Sequence, residues 1–244
     1  YDGTPVTGFL NKFSEYYFKC EKCSIVFLNP TLPDDELYVY YDEFSYEKLA
    51  IIKSFDTHFN NLKRETVSTY NNYLAVSNEV NSLRKDSEVL DLGGGSGDYC
   101  VYLRNNYPSF KISLFDYRIN ENVKEELDNR EIKAKNHDFL NENILANKYD
   151  LISTWEVIEH IPIPKLKSFF IKIRKALRPE GIYVLSTPDF SNIYTQALGF
   201  WAAYPGEHLS VFSRESLEPI LNSCGLYIFK ETHECVTLDL PNTW

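Results

Sequence analysis

The stretch Asp91-Leu92-Gly93-Gly94-Gly95-Ser96-Gly97 is the one best suited to chemistry. A short apolar run falls into a turn that is nearly all glycine, and a helical pattern follows. Glycine admits positive φ and carries no Cβ to hold a ligand away. A helix opening there offers N–H groups and the positive end of its dipole to an anionic group. A dinucleotide fingerprint would need a glycine at position 98, where Asp98 stands, and a phosphate loop would need Gly-Lys-Ser/Thr, which is absent. The pattern is Gly93-x-Gly95-x-Gly97 after Leu90-Asp91-Leu92. A second chemical feature is the pair Cys20-x-x-Cys23. Structural zinc takes four ligands and only two are visible, so no metal ligand is assigned; zinc is expected only if a second cysteine pair lies upstream of Tyr1.

The glycine turn needs a strand before it and a helix after it, and the surrounding pattern supplies both. Short apolar runs at 88–92, 111–115, 132–134, 149–154 and 182–186 alternate with helical stretches near 97–106, 120–129 and 164–177. That alternation predicts a parallel sheet with helices on both faces, whose ligands bind outside the carboxyl ends of the strands. Pro179 and Gly181 in "KALRPEG" are expected to stop the last of those helices. Residues 13–30 read as a small hairpin or knuckle around the cysteine pair. Residues 47–83 carry Leu49, Ile52, Phe55, Phe59 and Leu62 at helical spacing. Residues 213–223 read as a helix capped by "SRES", and 226–230 and 235–240 as two closing strands. The division expected is an N-terminal knuckle and helical cap over 1–85, then a ligand-binding domain over 86–244 with a lid or acceptor loop near 188–213.

The 244 residues carry a net charge of −10 and are 43% hydrophobic. A sizeable core is possible, while the acidic balance argues against nucleic acid or anionic lipid as partner. No apolar run approaches a membrane span and no signal pattern opens the chain, so a cytoplasmic protein is expected. Five cysteines, three of them isolated, do not make a disulfide framework.

"VLDLGGGSGDY" resembles the first motif of class I S-adenosylmethionine-dependent methyltransferases. The resemblance continues in order through "ISLFD", "HDF", "YDLISTWEVIEHIP" and "FFIKIRKALRPEGIYVLSTPD". "EHLSVFSRESLEPILNSCGL" resembles the later segment of the branch that includes quinone and small-molecule methyltransferases, a bacterial-type assignment. The resemblance implies a three-layer αβα sandwich with a seven-stranded, mostly parallel Rossmann-like sheet and a small N-terminal cap. It implies S-adenosylmethionine as donor and S-adenosylhomocysteine as product. Gly93, Gly95 and Gly97 would pass beneath the methionine part, and Asp91 would receive its ammonium. Asp116, with Tyr117 beside it, would accept the ribose hydroxyls. Asp138 and Phe139 would meet the adenine. Trp155 and Glu156 would lie where cofactor and acceptor meet. "YYFKCEKCSIVFLNPTLPDDELYVYYDEF" resembles the second knuckle of a zinc ribbon that precedes this domain in some bacterial methyltransferases, and Tyr41 or Tyr46 could belong to a lid.

Methyl transfer from a sulfonium is an in-line displacement in which protein groups chiefly align and exclude water. A hydroxyl acceptor must also lose its proton, a task suited to histidine. His160, just past the fourth strand, and His208, in the aromatic loop, are the candidates. The acceptor expected is a small molecule: a sugar, a surface-glycan precursor or a phenolic metabolite, methylated on oxygen. N- or C-methylation, or a non-catalytic S-adenosylmethionine-binding protein, remain open alternatives, as does the oligomeric state.

Overall fold

The structure is a computed structural model that describes residues 3–5, 17–29, 31, 67–191 and 208–233. Tyr41, Tyr46, most of the amphipathic stretch 47–83, loop 192–207 and the expected strand 235–240 lie outside the described residues. Three short strands open the chain: β1 (Gly3–Pro5), β2 (Tyr17–Cys20) and β3 (Val26–Leu28). Helices α1 (Val67–Ala75) and α2 (Ser77–Asn81) lead into the main sheet. The order is then β4 (Glu88–Leu92), α3 (Asp98–Asn106), β5 (Lys111–Asp116), α4 (Glu121–Asn129), β6 (Lys133–Asn136) and β7 (Tyr149–Trp155). A single 3₁₀ turn at Ile158–His160 precedes α5 (Ile163–Ala176), β8 (Leu177–Ser186), β9 (Ser210–Val211) and α6 (Arg214–Ser223).

Strands β6-β5-β4-β7-β8 form one all-parallel sheet in that order. The order reverses between β4 and β7, and a ligand crevice opens at such a switch point. Period-2 alternation sends Val89, Leu151, Ile112 and Leu114 to one face, where α3 and α4 cover them with Cys100, Leu103, Val123 and Leu127. Leu90, Leu92 and Ile152 face the other side, under Leu166, Phe169, Phe170 and Ile173 of α5 and Leu217 and Leu221 of α6. Covering on both faces explains why these strands read as nearly continuous apolar runs. No helix among the described residues is long and apolar enough to cross a membrane.

This is the αβα sandwich expected, with five strands in place of seven among the described residues. Residues 226–230, expected as a strand, are not paired into the sheet. Leu226 and Ile228 pack on the second core while Tyr227 and Phe229 stand exposed. Pro179 and Gly181 do not end the helix, which stops at Ala176; both residues sit inside β8, which begins at Leu177. The register on β7 jumps from Tyr149 opposite Leu177 to Leu151 opposite Ile182, so Pro179 and Gly181 fall in an irregularity of β8 where no ladder partner is lost. Ser213 does cap α6, in a reciprocal pair with Ser216 that satisfies two backbone donors at once.

The cysteine-bearing stretch forms the expected hairpin, with β2 and β3 antiparallel and Cys20 and Cys23 at its tip. Its outer strand β3 pairs with β9, placing Val26 opposite Val211 and Phe27 opposite Ser210. The N-terminal hairpin therefore shares a sheet with the segment immediately after His208.

Candidate active site

The glycines of the turn after β4 do different work. Gly93, Gly95 and Gly97 have φ of 71°, 52° and 80°, where residues with side chains are strained. At Gly93 an added Cβ would meet Val157 Cγ2 at 2.7 Å, and at Gly97 it would meet Leu127 Cδ2 at 2.8 Å. These two let the turn pack on the protein's own side chains. Gly95 alone of the three faces open space, with nothing within 4 Å of the position a Cβ would take. Its amide donates to Asp116 Oδ2 at 2.9 Å, stitching the turn to the end of the neighbouring strand. Asp116 is half-buried; burial raises its pKa, and backbone N–H groups of Gly95, Arg118 and Tyr117 oppose the rise. The Tyr117 side chain is exposed at the rim beside it. The one open position of the three thus lies against the strand-end carboxylate.

Asp91 sits deeper than expected. It is 1% exposed, accepts from the Ser153 hydroxyl at 2.6 Å and lies 3.8 Å from the Cys100 thiol. Burial, with the nearby Asp116 charge, pushes its pKa up to about 7. In the unfolded chain an aspartate titrates near ~3.9. Between those values the unfolded chain has released a proton that the folded chain keeps. Stability therefore declines as pH rises from about 4 to about 7 and levels off above, by at most about 4 kcal/mol. An Asp91→Asn variant is expected to lack this slope. Urea titrations of both proteins at several pH values across the window check it: their stability difference should move in the variant's favour as pH rises.

On the nucleobase side, His137, Asp138 and Phe139 follow β6, and the His137 amide donates to the Asp116 carbonyl at 2.7 Å. Asp138 closes its own turn: Oδ1 accepts from the Leu140 and Asn141 amides, and Oδ2 from Asn141 Nδ2 at 2.7 Å. The Phe139 ring packs on Phe169, with centroids 5.7 Å apart. Both residues therefore stand where a base beyond Asp116 would lie, in a turn whose shape is already determined.

On the acceptor side, Trp155 ends β7 and packs edge-on against Tyr73 and Tyr99, with centroids 5.0 and 4.9 Å away. It serves chiefly as packing. Glu156 follows with φ 53°, a strained value for a residue with a side chain, and its carboxylate accepts from the Ser186 hydroxyl at 2.6 Å. Glu159 is fully buried, and the Thr187 hydroxyl donates to its Oε2 at 3.0 Å. Its Oε1 has no donor among the described residues. Burial, reinforced by the Glu156 charge, holds the Glu159 carboxyl well above the usual carboxylate range. His160 Nε2 lies 4.0 Å from Glu159 Oε1, and the His160 and His208 rings meet edge-on with centroids 4.9 Å apart. The two histidines expected from the sequence are thus brought together, and Glu159, which sequence reasoning passed over, completes the cluster. Its only sequence signal was adjacency to His160. Ligand atoms of Glu159, His160 and His208 all lie within 4.8 Å of one another, a set that suits a divalent cation as well as proton transfer.

His208 is held from far away in the chain. Tyr17 Oη donates to the His208 carbonyl at 2.7 Å, the Leu28 amide to the Leu209 carbonyl, and the Leu209 amide to the Glu159 carbonyl at 2.8 Å. The N-terminal hairpin therefore forms one wall of the cluster.

A glycine turn at the switch point, a strand-end carboxylate one strand over and an imidazole pair past the fourth strand define a nucleoside-binding α/β protein of the class I S-adenosylmethionine-dependent methyltransferase fold. The Methyltransferase domain family model matches residues 67–231, more than half of the chain, and the chain belongs to that family. It is 27% identical over 106 residues to phosphoethanolamine N-methyltransferase of Plasmodium falciparum, a match spanning 43% of this chain and 40% of that relative. Human N-acetylserotonin methyltransferase in complex with S-adenosylmethionine superposes with a TM-score of 0.59 at 19% identity, over 80% of this chain and 54% of that one. Phosphoethanolamine N-methyltransferase 2 of Haemonchus contortus, also in complex with S-adenosylmethionine, gives a TM-score of 0.55 at 16% identity, over 82% and 46%.

Proposed function

We propose that the protein methylates a hydroxyl of a small molecule, such as a sugar, a surface-glycan precursor or a phenol, with S-adenosylmethionine as donor. The observation that supports this reading is the Glu159–His160–His208 cluster, which gathers two imidazoles and a carboxyl near the end of β7. A bound donor supplies an electrophilic methyl on a sulfonium. Gly95 leaves room for its tail and Asp116 accepts from its ribose. As the acceptor oxygen bonds to the methyl carbon, the methyl carbon–sulfur bond would break with its electron pair leaving on sulfur as S-adenosylhomocysteine, and the acceptor's proton would pass to an imidazole of the pair. Glu159, His160 and His208 could instead hold a divalent cation, which would make a hydroxyl more acidic; the donor-free Glu159 Oε1 fits such a use. Transfer to nitrogen is the second reading, favoured by the name of the Plasmodium relative.

Donor with a tritiated methyl, offered with sugar nucleotides, phenols and phosphoethanolamine, tests the proposal in the presence and absence of EDTA. Label on a hydroxyl acceptor is the expected result, and loss of that label with EDTA assigns the cation. Label on phosphoethanolamine alone replaces the reading with N-methylation. Product binding with no transfer to any acceptor leaves a cofactor-binding protein without catalysis.

A further inference from the structure

Lys172 is a residue that sequence motifs do not mark. It projects from α5, whose Phe169, Phe170 and Ile173 are buried in the second core, so its base is rigid. Its Nζ donates to three backbone carbonyls of one loop: Leu140 at 2.6 Å, Glu142 at 2.9 Å and Phe139 at 3.3 Å. An ammonium has three N–H donors, and this one spends all three on four consecutive residues. Three carbonyl dipoles aimed at one point repel each other unless a cation sits between them. The same loop is tied from its other side by Glu142, which accepts the Asp138 amide at Oε1 and lies 3.1 Å from His137 Nδ1 through Oε2. Asp138 locks the turn between these two ties. The segment 137–142 is thus a built turn, fastened to a helix on one side and to the end of β6 on the other, next to Asp116.

We propose that Lys172 is a positioning residue for the nucleobase, and that its grip on the 139–142 carbonyls sets the selectivity of the cofactor site for a 6-amino purine. This rests on the cofactor reading above, in which Asp138 and Phe139 meet the base. Lys172 touches no ligand in this account. It acts by holding the turn that carries the Asp138 carboxylate and the Phe139 ring in one conformation against α5. Losing the ammonium leaves three carbonyls without their donor, and the turn must reopen to find water.

The test compares S-adenosylhomocysteine with S-inosylhomocysteine, whose base carries an oxo group in place of the amine, by titration calorimetry. Lys172→Met is expected to weaken binding of the adenosyl compound by about 10-fold or more, the loss of one to two net hydrogen bonds' worth of positioning. Binding of the inosyl compound should change much less, so the preference between the two collapses. Lys172→Ala, which leaves room for a small amine, should regain adenosyl affinity when propylammonium is added. Unchanged adenosyl affinity in Lys172→Met overturns the proposal. So does equal weakening of both compounds together with a matching fall in Tm and no recovery with propylammonium, the signature of a merely structural lysine. A wild-type protein that binds neither compound breaks the cofactor reading itself, a failure distinct from that of Lys172.

Discussion

Asp116→Asn is expected to bind S-adenosylhomocysteine about 30- to 100-fold more weakly than the wild type, with little change in thermal stability. Two ribose hydroxyls donating to a carboxylate form charge-assisted bonds, each contributing roughly 1.5–3 kcal/mol. The amide offers one acceptor oxygen, carries no charge and directs its NH₂ at a hydroxyl, so one of the two bonds is lost outright and the other weakened. At about 1.4 kcal/mol per factor of ten, this accounts for the range given. The stability side is equally specific. Asp116 Oδ2 accepts the Gly95 amide, and the carbonyl oxygen of asparagine can keep that bond. Burial already raises the pKa of the Asp116 carboxyl, so removing the charge relieves a cost instead of adding one. Calorimetry for affinity and a thermal melt for stability separate the two effects. Wild-type affinity in the variant would place the ribose elsewhere and remove the cofactor site as drawn.

Much of this site is legible in the sequence because its parts are local. A strand ending at Leu92, a turn needing three positive φ values and a helix opening at Asp98 all declare themselves within a dozen residues. The strand-end position of Asp116 follows from the period-2 run before it. Other parts depend on pairing and depth, which local pattern does not carry. Asp91 has the same strand-end signature as Asp116, yet it turns inward to Ser153, sixty-two positions away, and its carboxyl is enclosed. Gly93, Gly95 and Gly97 look equivalent in one dimension, but Val157 and Leu127 fill the space over two of them. Pro179 and Gly181 read as a stop signal because breakers usually are. They sit in the irregularity between Leu177 and Ile182, where β8 has no partner residues on β7, and so cost the ladder nothing. Lys172 reads as one more polar position on an amphipathic helix, since carbonyls thirty residues earlier in the chain give it its role.

The hairpin shows the same limit from the other side. Its strands and its cysteine turn are evident from composition, and nothing local indicates that Tyr17 reaches the His208 carbonyl across 191 positions. The contact ties the N-terminal hairpin to the backbone of His208. The pairing of β3 with β9 fixes the backbone just after His208, and Leu209 closes the frame on the Glu159 carbonyl.

Because His160, His208 and Glu159 form one frame, their removal should not add up. His160→Ala and His208→Ala are each expected to lower kcat for methyl transfer to a hydroxyl by about 10²- to 10⁴-fold, the usual span for loss of a positioned acid–base group. The double variant should be scarcely slower than the worse single one, since a proton path broken at one imidazole gains nothing from the other. S-adenosylhomocysteine affinity should stay within a factor of about two in all three, because the proposed cofactor contacts are at Gly95 and Asp116 and not at the histidines. In the wild type the rate should fall toward acid, where an imidazole that must take a proton already carries one, and in the variants that limb should flatten. His160 is tied to the Val157 carbonyl by its own amide and His208 to Tyr17 by its carbonyl, so neither backbone tie is lost with the side chain. Rates that multiply in the double variant would mean two independent roles, and loss of affinity in step with kcat would mean that the pair holds the crevice together instead of moving a proton.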